Sequence, residues 1–161
     1  MSVTSIDKDL DGLTMNLVAD FDATAERVWE LWADPRKLER WWGPPTYPAT
    51  VKEHDLAAGG EVTYFMTGPE GDQHHGWWRI SSVDSPKSLE FVDGFTDEDG
   101  IPNDDMPSMT MRMELTSSES GTRMELRSTF NSREQMDEML KMGMEEGIRE
   151  AVGQMDALLA E

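Results

Sequence analysis

From Leu13 to Phe21 apolar and polar positions alternate. Leu13, Met15, Leu17, Ala19 and Phe21 fall on one side, and Thr14, Asn16 and Asp20 on the other. This is the pattern of a strand with one buried face. The period then changes to that of a helix, with Ala25, Val28, Trp29 and Trp32 on one face. Asp22 or Thr24 can cap this helix, and Glu26 sits in its first turn, where the helix dipole favours an acid. Asp34-Pro35 restarts the chain as a second helix, with the aspartate as cap and the proline at the first position. Leu38, Trp41 and Trp42 form its apolar stripe. Gly43 suits the left-handed position after a helix, and Pro44 cannot continue one.

The middle of the chain reads as strands. Val51–Leu56 and Val62–Met66 flank the turn Ala57–Gly60, and Gly68–Gly71 is another turn. Gly76–Val83 and Leu89–Val92 flank Asp84-Ser85-Pro86, and an acidic loop runs from Asp93 to Pro107. Met109, Met111, Met113 and Leu115 then share one face, and after Ser117–Gly121 so do Met124, Leu126 and Phe130. Ser132 with Gln135 matches a capping box. It opens a continuous apolar face of Met136, Leu140, Met144, Ile148, Ala151, Val152, Met155, Leu158 and Leu159. One unbroken helix from Ser132 to Ala160 would be about 43 Å long. The order is strand, two short helices, six strands, long helix. It predicts an α+β domain over residues 13–161, with residues 1–12 as a flexible N-terminal tail. Seven antiparallel strands would be covered by the closing helix.

Composition narrows the function classes. With no cysteine, disulfides, thiolate metal sites and cysteine nucleophiles are excluded. Thirty-three acids against 14 bases give a net charge of −19, which repels phosphate backbones and anionic lipid heads, so nucleic-acid and membrane-surface functions are not expected. The charge fits either simple solubility or a salt-rich cytoplasm that screens self-repulsion. The first residues show no secretory pattern and no apolar run is long enough to cross a bilayer, so a cytoplasmic location is expected.

Several motifs together resemble a known family. Phe21-Asp22-Ala23 with Val28-Trp29, Asp34-Pro35 with Leu38, and Trp41-Trp42-Gly43-Pro44 are similar to the helix pair of the START/Bet v 1-like (SRPBCC) superfamily. The likeness is to its branch named after the activator of the heat-shock-protein-90 ATPase. Asp55 with Gly59-Gly60, Trp78 and Ile80 with Val83-Asp84 and Pro86, Leu89 with Phe91, and Gly121-Thr122 resemble its strands and turns. Met142–Gly147, with Gln154-Met155-Asp156 and Leu158-Leu159, resembles its closing helix. Ala57 and Glu61 depart from the arginines common in relatives, and Ser85 from a second proline. The resemblance implies a helix-grip fold, a curved seven-stranded antiparallel sheet around a long C-terminal helix. It also implies a cavity between sheet and helix that takes lipophilic ligands.

The residues themselves bear on such a cavity. Gly143, Gly147 and Ala151 recur at i, i+4 and i+8 beside the apolar face of the closing helix, and either allow close approach or leave a space. Methionine is adaptable and suits irregular apolar surfaces. The residues expected to line the cavity are Trp29, Trp32, Trp41, Tyr64, Met66, Trp78, Phe91, Met111, Met113, Met124, Met136, Leu140 and Met144. Trp77, adjacent to Trp78 on a strand, points to the outer face near Arg79.

Reactive groups are sparse. His74 and His75, with Glu70 and Asp72, lie in a polar hairpin and read as solvated, and His54 reads as a surface histidine. Asp7, Asp9, Asp11 and Gly12 imitate half a calcium loop, but Val18 stands where a bidentate glutamate is needed. The stretch around Asp97, Asp99 and Gly100 would begin at Phe95 and also lacks the ligand set. No metal or cofactor is therefore expected. No Walker, dinucleotide, Gly-x-Ser-x-Gly or His-Glu-x-x-His motif occurs. The leading expectation is binding of a hydrophobic or aromatic small molecule without turnover. An enzyme of cyclase, aromatase or hydrolase type acting in the cavity is the alternative. A chaperone-associated interaction module ranks third, because residues 1–12 are too short to form the separate N-terminal domain of the eukaryotic activators.

Overall fold

The computed structural model describes residues 3–96, 101 and 108–161. Among them, eight strands form one antiparallel sheet: β1 (Val3–Asp9), β2 (Thr14–Phe21), β3 (Ala49–His54), β4 (Glu61–Thr67), β5 (Gln73–Asp84), β6 (Ser88–Phe95), β7 (Met109–Ser118) and β8 (Gly121–Phe130). Their spatial order is β1-β2-β8-β7-β6-β5-β4-β3, with the two ends unpaired to one another. The helices are α1 (Ala25–Ala33), α2 (Pro35–Trp41), α3 (Arg133–Lys141), α4 (Met144–Gly153) and α5 (Met155–Leu159). This is the α+β architecture that the alternation and helical stripes predict, and it is the helix-grip fold that the family resemblance implies.

Strand alternation creates the inner face. Met15, Leu17, Ala19 and Phe21 of β2, Val62 and Tyr64 of β4, Trp78 and Ile80 of β5, Leu89 and Phe91 of β6, Met109 to Leu115 at every second position of β7, and Met124 and Leu126 of β8 are all buried. β2 and β3 are consecutive yet lie near opposite ends of the sheet, so the α1–α2 connection has to cross this face. The Thr24 hydroxyl caps α1 by accepting from the Arg27 N–H, and the Asp34 carboxylate caps α2 from the Arg36 N–H at 2.9 Å, with Pro35 at the first position.

Trp32, Trp41 and Trp42 of this crossing pack into one aromatic cluster with Trp78 and Phe91. Trp32 meets Trp41 edge-on at 4.7 Å between centroids, Trp42 meets Trp78 edge-on at 4.8 Å, and Trp78 stacks on Phe91 at 4.0 Å. A buried tryptophan removes roughly 150–250 Å² from water, worth about 4 kcal/mol or more in transfer free energy. The Trp41 indole N–H donates to the Leu31 carbonyl, and His54 donates its Nε2–H to the Trp32 carbonyl at 3.0 Å. His54 is thus half-buried and ties β3 to α1, where the sequence suggests a surface residue.

Three other expectations are corrected. Residues 3–9, expected as tail, form edge strand β1, which pairs with β2, and its Lys8 makes an ion pair with Glu145 of α4 at 2.6 Å. The sheet therefore has eight strands where seven were expected. The closing helix is not continuous: it breaks at Gly143, whose φ of 89° lies in the left-handed region, and again at Gln154. Gly43 is not left-handed; it is glycine because a Cβ there would lie 2.0 Å from the Tyr47 carbonyl oxygen.

The second break carries a specific tie. The Gln154 side-chain amide donates to the Trp41 carbonyl at 3.2 Å and to the Gly43 carbonyl at 2.7 Å. Gln154→Ala leaves both carbonyls without this donor and is expected to destabilise the fold by about 1–3 kcal/mol. Urea unfolding should show a lower midpoint at unchanged slope; an unchanged midpoint would mean that the tie is solvated and contributes nothing.

Candidate functional site

The crossing helices cover one part of the inner face and leave another open. A cavity of about 290 Å³ lies between strands β4–β7 and the junction of α3 with α4, reaching the end of α2. The strands contribute Tyr64 and Met66, His74, His75 and Gly76, Asp93 and Phe95, and Met109 and Met111. The helical side contributes Met139, Met142, Gly143, Met144, Gly147 and Ile148, and the end of α2 contributes Trp42 and Pro44.

Two glycines border the space. A Cβ built at Gly143 or Gly147 meets nothing within 4 Å. Of the two readings that small residues on this stripe allow, Gly147 inside α4 leaves a space, while Gly143 serves the left-handed break. Ala151, third in the series, is instead packed into the core and does not line the cavity. Six methionines supply most of the remaining apolar wall.

One polar pair sits in that wall. Along β6, Leu89, Phe91 and Asp93 share the inward side, so Asp93 continues an apolar row with a carboxyl group. It is 9% exposed. The Tyr64 hydroxyl donates to Asp93 Oδ1 at 2.9 Å. Gly76, paired with Tyr64 across the β4–β5 ladder, makes room for the phenol: a Cβ there would lie 2.4 Å from the Tyr64 oxygen. Burial raises the Asp93 carboxyl to about 7, overcoming the opposing effect of the Tyr64 hydrogen bond. Burial, and then the Asp93 charge, push the Tyr64 phenol well above its ordinary range, partly offset by the indoles of Trp42 and Trp78. Neither indole N–H reaches hydrogen-bond geometry.

The histidines stand nearer the opening. His74 is largely exposed, with Nε2 bonded to Asp72 at 2.9 Å and its ring against Tyr47. His75 is half-buried, its ring tilted against Phe65 at 5.5 Å and its Nδ1 buried without a partner. Both belong to β5, so the solvated-hairpin expectation fails for His75. Trp77 does lie beside Arg79, whose guanidinium covers its ring at 5.2 Å, and its N–H donates to the Phe95 carbonyl.

Of the residues the sequence suggests as liners, the cavity brings together Tyr64, Met66, Met111 and Met144. Trp29, Trp32, Trp41, Trp78, Phe91, Met113, Met124 and Met136 are buried in the core outside it, and Leu140 packs half-buried against that core. Trp41 and Trp78 pack against Trp32 and so leave the cavity to Trp42. Sequence reasoning missed Trp42, Gly76 and above all Asp93. The signal for Asp93 was an acid at an inward position of an apolar strand.

The calcium-like stretch Asp7–Gly12 is the β1–β2 hairpin, in which Asp9 Oδ1 accepts from the Gly12 N–H and Asp7 lies on the strand. Asp97, Asp99 and Gly100 lie outside the described residues. Among the described residues, no group of three His, Asp or Glu side chains converges as a metal site. No helix among them is long and apolar enough to cross a membrane.

Comparison with known proteins places this geometry in a family. The model of the family described as "Activator of Hsp90 ATPase homolog 1-like protein" matches residues 22–160. The solution structure of a protein from Arthrobacter aurescens is 50% identical, with a TM-score of 0.95, over 99% of this chain and 92% of its own. The crystal structure of a protein from Mycobacterium smegmatis is 49% identical, with a TM-score of 0.90, over 98% of this chain and 96% of its own. The AHSA1 protein from Silicibacter pomeroyi shares the fold at 22% identity and a TM-score of 0.74, over 91% of this chain and 97% of its own. No curated protein matches the chain.

The buried pair gives a pH signature. A raised carboxyl pKa means that the folded state keeps a proton the unfolded state has released. The Asp93 contribution to stability therefore falls as pH rises from about 4 to about 7 and is level above that. At about 1.4 kcal/mol per pH unit, the fall is at most about 4 kcal/mol. Asp93→Asn keeps an acceptor for Tyr64 and removes the titration. Its stability relative to wild type should thus increase across this window, as measured by urea unfolding at a series of pH values. A difference independent of pH would show that Asp93 is not a buried titrating group.

Proposed function

This chain belongs to the activator of Hsp90 ATPase homolog 1-like family, and from that premise we propose that it binds a hydrophobic or aromatic small molecule between strands β4–β7 and the α3–α4 junction. The family's fold is typically a ligand-binding domain. The observation that carries the reading is the open space in front of Gly147, facing a methionine wall. A glycine inside a helix costs about 1 kcal/mol relative to alanine. At Gly147 that cost secures no close packing, since no atom approaches. A concave, mostly apolar space with a few placed polar groups is the usual form of a small-molecule site.

The Tyr64–Asp93 pair favours a second reading, an enzyme that moves a proton on a ligand in the same cavity. Two titratable groups stand within hydrogen-bond reach, and a carboxyl tuned to about 7 suits general acid–base work at neutral pH. Chemical conversion of a bound compound by wild type, lost in Asp93→Asn, would support it. Bound compounds recovered unchanged after prolonged incubation would leave binding alone.

The cavity methionines provide the direct test. With 13C-methyl methionine, titration with the neutral dye N-phenyl-1-naphthylamine should shift the methyl resonances of Met66, Met109, Met111, Met139 and Met144. Gly147→Leu should fill the space, abolish these shifts and raise stability by about 1 kcal/mol from helix propensity alone. If neither this dye nor other apolar and aromatic probes move the wild-type methyls, the cavity does not bind such molecules and the reading fails.

A further inference from the structure

The residues around Asp93 restrict what can occupy the cavity. Asp93 lies on β6 and its Oδ1 accepts from Tyr64 of β4. The other titratable side chains lining the space are His74 and His75 of β5, and His74 is committed to Asp72. β7, α3 and α4 contribute only methionine, glycine and isoleucine, and the end of α2 only Trp42 and Pro44. Among the described residues, therefore, no lysine or arginine lines the cavity. Among the described residues, this carboxylate, 9% exposed in an apolar wall, has one neutral hydrogen-bond donor and no cation. Buried charges are ordinarily paired, because leaving one unpaired is costly. Asparagine or threonine could accept the same tyrosine bond without that cost.

We propose that the cavity selects a lipophilic amine, whose ammonium group pairs with Asp93 while its apolar body lies against the methionine wall; the proposal rests on the cavity being a ligand site. Three aromatic rings, Trp42, Tyr64 and Phe95, line the same space, and aromatic side chains attract cations. The net charge of −19 gives the molecule a field that draws cations and repels anions. A fatty acid or other lipophilic carboxylate would bring a like charge to Asp93 and is disfavoured. A neutral alcohol fits the apolar body but leaves the carboxylate without its counter-charge. The rise of the Asp93 pKa to about 7 agrees with this picture: without a cation the group holds a proton, and a bound ammonium would release it.

Three probes of one shape separate the possibilities: 4-phenylbutylamine, 4-phenylbutan-1-ol and 4-phenylbutanoate, titrated at pH 8 and followed by methionine methyl shifts. The amine is expected to bind at least tenfold more tightly than the alcohol, and the carboxylate most weakly. Its affinity should fall several-fold on going to pH 6, where Asp93 is mostly protonated. In Asp93→Asn the preference of amine over alcohol should collapse to about one, with alcohol binding retained. This comparison within the native protein needs no variant, so a poorly folding variant does not spoil the test. Equal binding of amine and alcohol, or preference for the alcohol or carboxylate, overturns the amine proposal while leaving the cavity a ligand site. Binding of none of the three, together with no response to the neutral dye, overturns both.

Discussion

The structure depends on one topological demand, that the chain cross the inner face of its own sheet between β2 and β3. Those strands lie near opposite ends of the eight-strand order, so the segment between them has to supply a covering layer. Two helices of nine and seven residues do this with three tryptophans, and Trp42 follows as the cap of the second. The rings of Trp32 and Trp42 meet Trp78 and Phe91 from the sheet, and the stacked pair at 4.0 Å anchors the cluster in β5 and β6. Rings of this size fill the part of the inner face they reach and stop where the helices stop. The remainder is covered by α3 and α4, whose facing residues are thinner and more flexible. The cavity begins where the aromatic layer ends, and Trp42 belongs to both.

The broken closing helix follows from the same demand. A straight helix of 29 residues would have one fixed line of approach to the sheet. Turning at Gly143 and again at Gln154 lets three short helices follow a surface with two different coverings. α3 packs through Met136 and Met139, α4 through Ala151 and Val152, and α5 through Met155. Gln154 fastens the second turn to the end of α2 through two carbonyl groups. The aromatic layer and the closing helices therefore hold each other in place, and the cavity wall is set by both.

Much of this fold is legible in the sequence because burial is one-sided. Strict alternation in β2, β7 and β8 follows from a sheet with one covered face, and caps such as Thr24, Asp34 and Ser132 are local chemistry that short-range reading captures. What escaped has physical reasons. β1 is an edge strand with no fully buried position, its residues half-buried or exposed, and has a register irregularity between Val3 and Ser5, so its pattern is faint. The apolar stripe of the closing segment runs on through Gly143, because a glycine break changes direction without removing the hydrophobic face on either side. The tryptophans look alike as cluster or cavity wall, since both ask for a large apolar ring. Asp93 stands where β6 meets an acidic run, and read as the start of a loop it looks solvated. Only its inward parity with Leu89 and Phe91 distinguishes it.

At Asp93 the proposed function runs against stability. The aromatic cluster, the helix caps and the Gln154 tie each lower the energy of the fold. A carboxyl group in an apolar wall raises it, and so does Gly147, which leaves unfilled space in a helix that alanine would form better. Tyr64 and Gly76 are arranged around the carboxyl, one donating to it and the other yielding room for the phenol ring. A site assembled from neighbours on three strands, at a cost to the fold, is poorly explained by packing. It is well explained by an occupant that fills the space before Gly147 and presents a polar or charged end to Asp93. The unfavourable features then offset one another only when the occupant is present, which is the condition for a binding site to discriminate among molecules of similar shape.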